Sequence, residues 1–386
     1  MQDQVNIGMG RAARRVFGFD QIDIVPSRRT RSSHDVDTTW KIDAYRFDIP
    51  IMAHPSDAVV TPEFAVEFGR LGGLPVINAE GLWGRHRDLD AALEKVRTAA
   101  GAGDPLGLPG ADGDDFAAQR VLQELHSAPL DTGLLAERLA EVRDSGVTFG
   151  VRVSPQRARE LAPALIASGI DLLVIQGTLV SAEHVYSDGE PLNLKEFIGS
   201  LDVPVIAGGV VDYTTAMHLM RTGAAGVIVG AGATTNAQAL GIDVPMATAV
   251  ADAAAARLDY LDETGGRYVH VIADSHLSVS GDIAKAIACG ADAVALGAPL
   301  ALAEVAGGRG HYWPAVAAHP GLPRGEAEAV FGVLGTRSTV PLEKLLFGPT
   351  DNPYGEENLV GGLRRSMAKC GYTDLKSFQK VPLAVR

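Results

Sequence analysis

Residues 268–300, YVHVIADSHLSVSGDIAKAIACGADAVALGAPL, hold a complete strand–helix–strand unit, and the fold follows from how that unit ends. The apolar, β-branched run at 268–273 is short enough to be a strand buried on both faces. A polar turn, Asp274-Ser275-His276, follows. Ser280-Gly281-Asp282 signals a helix start, Ile283, Ala286 and Ile287 carry the helical spacing, and Gly290 stops it. A second buried run at 293–296 leads into Gly297-Ala298. Both strands therefore deliver small or polar residues to one face, and the C-terminal face of a parallel sheet is where ligands bind. Two adjacent strand ends with outward-pointing amides suit a phosphate, which makes the 274–276 and 297–298 corners a candidate anion site.

The same rhythm extends outward from this unit. Buried runs are predicted at 49–53, 75–78, 149–153, 171–175, 203–207 and 226–229. The fourth of these ends in Gln176-Gly177-Thr178, the fifth in Gly208-Gly209 and the sixth in Gly230-Ala231-Gly232. Eight such runs, most separated by helix-length intervals, predict an α/β fold that is a single (β/α)8 TIM barrel rather than a doubly wound sheet. A dinucleotide-binding sheet needs a Gly-rich turn directly after a strand, and Leu71-Gly72-Gly73 follows a helix that starts at Thr61-Pro62-Glu63. The chain thus divides into an N-terminal arm (1–48), the barrel (49–310) with a decorated crossover at 82–146, and a flap-like and C-terminal segment (311–386). Within the arm, 19–26 alternates apolar and polar before a proline, as an edge strand does. The crossover carries helical segments near 91–100 and 134–144. Between them a Gly/Pro/Asp-rich stretch, 100–116, reads as a surface loop.

The totals agree with one large core: 46% of the 386 residues are apolar and 44 are glycines. A net charge of −13 argues against nucleic acid as a main partner. No apolar run is long enough to span a bilayer, and the first residues lack the apolar segment of a secretory signal. Two cysteines, Cys289 and Cys370, cannot build a disulfide framework. A cytoplasmic protein with no membrane partner is the expectation.

VIAD…SGDIAKAIACGADAVALG resembles the seventh and eighth strands of the IMP dehydrogenase/GMP reductase family. FGFDQIDIVPS (17–27), IPIMAHPSDAV (49–59), GRLGGLPVI (69–77), IAGGVV (206–211), RTGAAGVIVGAG (221–232) and LGIDVPMATAV (240–250) are similar to further family segments, in order and at barrel spacing. GGLRRSMAKCGY (361–372) resembles the family's C-terminal segment. The family's pair of small regulatory modules is missing from 82–146, which is typical of GMP reductases and of a group of actinobacterial IMP dehydrogenase-related proteins. The resemblance implies hydride exchange at purine C2 with NAD or NADP. It implies IMP, GMP or XMP as the nucleotide, with the phosphate held by the loops after strands six, seven and eight, so Gly230, Gly232, Asp274, Ser275, His276, Gly297 and Ala298 are the nucleotide-binding candidates, Asp274 as acceptor for the ribose hydroxyls with a helix or loop cap as the alternative. It also implies a homotetramer. No metal is expected, and there is no firm case for a monovalent cation.

The same resemblance shows where the chemistry departs. The family's catalytic cysteine follows strand six, and alignment on Pro245 and Thr248 places Thr234 at or beside that position. Thiol is used there because it is partly ionised near neutral pH, whereas a hydroxyl needs an activating base. Thr234 and Thr235 are the candidate catalytic hydroxyls, and Glu304 falls within a residue of the acid that GMP reductases carry. Gln176, with Gly177, replaces the family Asp that meets the nicotinamide ribose and is the candidate cofactor contact. Gly209 replaces an Asn and Ile228 a Lys. Arg309 with Tyr312 is either a remnant of the Arg-Tyr pair on the mobile flap or an ordinary surface loop. His54 and Asp57 read as a solvated histidine and a helix cap, with a polar pair as the alternative. Two functions from different classes follow: a purine-nucleotide oxidoreductase with a degenerate active site, or a nucleotide-binding protein that keeps the barrel without the reaction. An oxidoreductase with another substrate is a third.

Overall fold

The computed structural model describes residues 4–101, 116–182, 192–318, 321, 324–332 and 335–386. Eight parallel strands form its centre: β1 (Ile51–Ala53), β2 (Val76–Asn78), β3 (Gly150–Val153), β4 (Leu172–Gln176), β5 (Val205–Val210), β6 (Gly226–Gly230), β7 (His270–Asp274) and β8 (Ala293–Leu296). They are hydrogen-bonded in chain order from β2 round to β8, and β8 pairs with β1. A parallel bridge between Met52 and Leu74 joins β1 to the start of β2 and closes the barrel. Nearly every strand residue is buried, because side chains fill the bore on one face and helices cover the other. Local signals set the helices as expected. The helix Pro62–Arg70 has Thr61 as its cap, the Thr61 hydroxyl accepting from the Phe64 N–H at 3.0 Å, with Pro62 in the first turn.

Among the described residues the crossover holds three α-helices, Leu89–Gly101, Ala117–Ser127 and Thr132–Asp144. The middle one is absent from the sequence reading, which let the loop signal run up to its first turn; most of the 100–116 loop lies outside the described residues. The N-terminal arm begins with an antiparallel hairpin, Gln4–Gly8 with Arg11–Arg14, which the sequence reading also lacks. Val5, Ile7 and Met9 of this hairpin are exposed. In the predicted edge strand, Phe19–Gln21 is instead a 3-10 turn, and Ile22–Ile24 pairs antiparallel with Leu383–Val385. Arm and tail thus form one ribbon, whose Ile22–Ile24 strand packs against the helix Ser280–Ala288. No described helix is long and apolar enough to cross a membrane.

One carboxylate anchors the tail beneath the barrel. Asp292, just before β8 and 2% exposed, accepts from Arg257 at 2.9 Å, the Tyr268 hydroxyl at 2.8 Å, the Val271 N–H at 2.9 Å and Lys376 at 2.5 Å. Gln379 of the same tail donates to it at 3.1 Å. Removing one partner of a buried ion pair strands the other. Asp292→Ala should therefore destabilise the fold by about 3–5 kcal/mol in urea unfolding, and a loss under 1 kcal/mol would refute this anchor.

Candidate active site

The strand ends β1, β4 and β7, with the flap, bring a polar chain to the mouth. Asp274, the last residue of β7, is 2% exposed, and its Oδ2 accepts from Gln176 Nε2 at 2.7 Å. His54, 3% exposed, places Nε2 3.5 Å from the same oxygen. The Tyr312 hydroxyl lies 3.3 Å from His54 Nδ1. Burial pushes the Asp274 carboxyl up to about 7 and, with Arg152 adding to the effect, the His54 imidazole down to about 3. At neutral pH the contact is therefore a neutral imidazole against a carboxyl close to half ionised, and not an ion pair. Burial also raises the Tyr312 phenol well above its usual range, so it stays protonated and donates. His54 then carries its own proton on Nε2, facing Asp274. Below this chain Arg152, 5% exposed, donates to the Gln176 carbonyl at 2.7 Å, to Asn78 Oδ1 at 3.2 Å and to Glu80 at 3.3 Å.

Two cavities open above these groups. One, of about 260 Å³, is lined by the predicted Gly230, Gly232, Thr234, Asp274, Ser275 and His276, closed on the far side by 242–246. The other, of about 540 Å³, is lined by Thr234, Thr235 and His276 together with Phe116, Gln119 and Glu328. Thr234, Gln238 and His276 belong to both walls, so the cavities meet there. The structure thus brings together Thr234, Thr235 and the β6 and β7 corners. Gln176 and Gly177 line only a void of about 10 Å³ beneath, where Gln176 Oε1 is buried without a partner.

Other expectations are redirected. Gly297 and Ala298 do stand beside the 274–276 corner, since β7 and β8 are paired, but they line neither cavity. The reason is Tyr312: a Cβ at Gly297 would meet its hydroxyl at 2.4 Å. Glu304 is exposed on the barrel flank near Glu67 and lines neither cavity. Arg309 and Tyr312 part company, with Arg309 exposed and lining a flank crevice and Tyr312 at the mouth. His54 and Asp57 are both buried and serve separate partners. Asp57 Oδ2 accepts from the Leu82 N–H at 3.1 Å and lies 4.0 Å from His126. Gly209 is explained by contact, because a Cβ there would lie 1.8 Å from the Gly230 carbonyl oxygen.

Neither sulfur is at the mouth. Cys289 follows the helix Ser280–Ala288, whose first turn faces the mouth; nine residues at 1.5 Å each carry it about 13 Å down the barrel wall. Burial pushes its thiol up to about 12. Cys370 ends the helix Leu359–Lys369 and is buried against the tail. Residues that sequence reasoning missed include Arg152, Gln119, Glu328 and Arg324. Arg324 reaches Thr178 Oγ1 at 3.4 Å, and its carbonyl accepts from the Thr235 N–H at 3.0 Å. Spacing carries no signal for them, since they come from distant segments.

Comparison with known proteins agrees with this architecture. Residues 16–315 match the IMP dehydrogenase / GMP reductase domain family. An uncharacterized oxidoreductase of Mycolicibacterium smegmatis is 62% identical over 385 residues, 99% of each chain. An inosine-5'-monophosphate dehydrogenase of Methanocaldococcus jannaschii is 26% identical, over 95% of this chain and 92% of its own. The crystal structure of an IMP dehydrogenase/GMP reductase-like protein from Corynebacterium glutamicum superposes with a TM-score of 0.92 at 64% identity, covering 100% of this chain and 98% of that one.

The buried carboxyl makes a pH prediction. Asp274 binds its proton up to about 7 in the folded chain but only to roughly 3.9 unfolded. Folding is therefore favoured at low pH and loses that contribution as pH rises from about 4 through 7. His54 acts in the opposite sense, so the difference between variant and wild type is the quantity to measure. Asp274→Asn, neutral at every pH, should gain on wild type by roughly 4 kcal/mol between pH 4 and 8. A difference that stays flat across this range in chemical denaturation would rule the shift out.

Proposed function

The chain belongs to the IMP dehydrogenase/GMP reductase family, and from that premise we propose that it is an oxidoreductase exchanging hydride between a purine and NAD or NADP. The observation that carries this is the pair of cavities meeting at Thr234, Gln238 and His276. Two ligands that exchange a hydride must place their reacting atoms in contact across such a junction. The purine occupies the smaller cavity, and the family's ligands IMP, GMP and XMP form the first panel to try. The larger cavity suits a nicotinamide. Phe116 offers an aromatic surface, and Gln119 Oε1, buried without a partner, can accept from a carboxamide N–H. When bound there, NAD(P) would supply or accept the hydride.

The chain's own residues handle the rest. With both thiols elsewhere, the group that adds to the purine carbon is a hydroxyl or water, and it needs a base. His276 stands on the shared wall within electrostatic reach of Glu328, whose carboxyl burial raises. In the oxidative direction C2–H and water become a C2 carbonyl, the hydride leaves to the nicotinamide, and His276 takes the proton. We place the enzyme in the cytoplasm as a homotetramer, in which the exposed Val5, Ile7 and Met9 of the hairpin meet a neighbouring subunit.

The second reading, a purine-binding protein without turnover, draws on one observation: Asp274 is already engaged by His54 and Gln176. Nicotinamide absorbance, followed with each purine and each cofactor form, separates the two. Turnover is expected, falling about 100-fold or more in His276→Gln and abolished in Thr234→Ala if that hydroxyl is the nucleophile. Gln119→Ala should raise KM for the nicotinamide nucleotide alone. No turnover in any combination removes the enzyme reading. A stabilisation of about 2.7 kcal/mol at 100 times Kd would then support the binding protein.

A further inference from the structure

We propose that Arg85, in the turn after β2, is a positioning residue that sets affinity for the nicotinamide nucleotide by fixing the helix Ala117–Ser127 against the larger cavity. This rests on the reading of that cavity as the cofactor site and deepens it.

The first turn of the helix forms part of the cavity wall. Phe116, the residue before it, and Gln119 both line the cavity. Gln119 is 8% exposed; its Nε2 donates to the Ala317 carbonyl of the flap at 2.5 Å, and its Oε1 is buried without a partner. A ligand N–H can use that oxygen only while the amide is held in place. The middle of the helix is held by the buried Leu122 and Leu125. Apolar packing of this kind is non-directional and tolerates a slide along the helix axis.

Direction comes from the far end. Arg85 follows the turn Leu82–Gly84. Its Nη1 donates to the His126 carbonyl at 3.0 Å and to that of Ala128, and its Nε to the Glu80 carbonyl at 3.2 Å. Next to it, His86 Nε2 donates to the Leu125 carbonyl at 2.9 Å. Carbonyls at a helix C-terminus have no partner within the helix, so such outside donors fix where the helix ends. The carboxylate of Glu80 is taken by Arg152 and Ser154, and the hydrogen bonds of Arg85 among the described residues all go to carbonyls. Arg85 is thus a clamp between the end of β2 and the helix, and not half of an ion pair. The clamp is itself braced. Arg138 Nη2 donates to the His86 and Arg87 carbonyls at 2.9 and 2.7 Å, and the Asp131 N–H to the Gly84 carbonyl at 2.7 Å. From His126 back to Gln119 is two helical turns, so about 10 Å of rigid helix carries the position from clamp to amide.

A cation at a helix C-terminus also stabilises the helix itself. That role alone changes stability and leaves ligand affinities as they are. Displacement of a positioned group by about 1 Å, in contrast, costs as much as 100-fold in function.

Isothermal titration of the full chain with NADH and NADPH, in the presence of IMP, GMP or XMP, tests the proposal. Arg85→Ala should weaken the nicotinamide nucleotide about tenfold, the worth of one hydrogen bond, and leave the purine nucleotide within about twofold. Arg85→Lys keeps the charge but not the planar fork, and should still weaken the cofactor about threefold. The deciding comparison is Gln119→Ala with the Arg85→Ala/Gln119→Ala double variant. The two should bind the cofactor equally, because Arg85 acts through Gln119. Wild-type affinity in both Arg85 variants overturns the inference and leaves the cofactor reading standing. Penalties that add in the double variant show Arg85 acting by another route and overturn it as well. If Arg85→Ala does not fold, Arg85→Lys combined with Gln119→Ala makes the same comparison. No binding of either nicotinamide nucleotide to the wild type removes the cofactor reading, and this inference with it.

Discussion

A carboxyl group sealed at the end of a parallel strand sets the terms for the whole mouth. Asp274 sits where β7 stops, and with 2% of its surface exposed it cannot turn to water for partners. A buried polar group must be satisfied or it destabilises the fold, so the neighbouring strand ends have to supply donors. Gln176 does so from β4 and His54 from the turn after β1. Each donor creates a further requirement. His54 needs a partner for Nδ1, which is Tyr312, and Tyr312 needs a position without a side chain on β8, which is Gly297. Three strand ends and the flap are thereby linked by polar contacts, and the end of β8 makes room for them.

The barrel was legible because burial on both faces leaves an unmistakable trace in a chain. Runs such as 171–175 and 226–229 are apolar throughout, and small or polar residues follow them at once. Helix caps were legible for a similar reason: Thr61-Pro62-Glu63 specifies its own local geometry. The misses share the opposite character. The helix Ala117–Ser127 packs its buried Leu122 and Leu125 against a neighbouring helix, and the loop signal before it concealed its start. The hairpin Gln4–Gly8 with Arg11–Arg14 leaves Val5, Ile7 and Met9 exposed, so no buried face marks it in the sequence.

At the site, sequence reasoning found positions and misjudged their company. Asp274, Thr234 and the β6 glycines are where strand ends put them. His54 was read as solvated because a histidine in a polar turn usually is; only the closed barrel shows that this turn folds inward. Gly297 was read as room for a ligand, and it is room for Tyr312. A missing side chain says that something approaches closely and does not say what. Gln119 and Glu328 reach the mouth from the crossover and the flap, joined to it by tertiary packing that no local pattern encodes.

The mouth is acidic, and neither cysteine of the chain reaches it. The two cavity walls carry Asp243, Asp274, Glu326 and Glu328, and no Lys or Arg among the described lining residues. A cysteine at Thr234 would sit in that acidic surround with no cation beside it, and its pKa would rise, leaving the unreactive thiol. A hydroxyl is indifferent to the change, since it needs a base in any case, and His276 is adjacent on the shared wall. After β8 the space beside Gly297 is taken by an aromatic side chain. Tyr312 fills it, and the flap that carries Tyr312 is held in turn by Thr235, which donates to the Arg324 carbonyl, and by Arg337, paired with the buried Glu357 at 3.0 Å. The carboxyl at the end of β7, the phenol beside Gly297 and the pinned flap are thereby linked through His54.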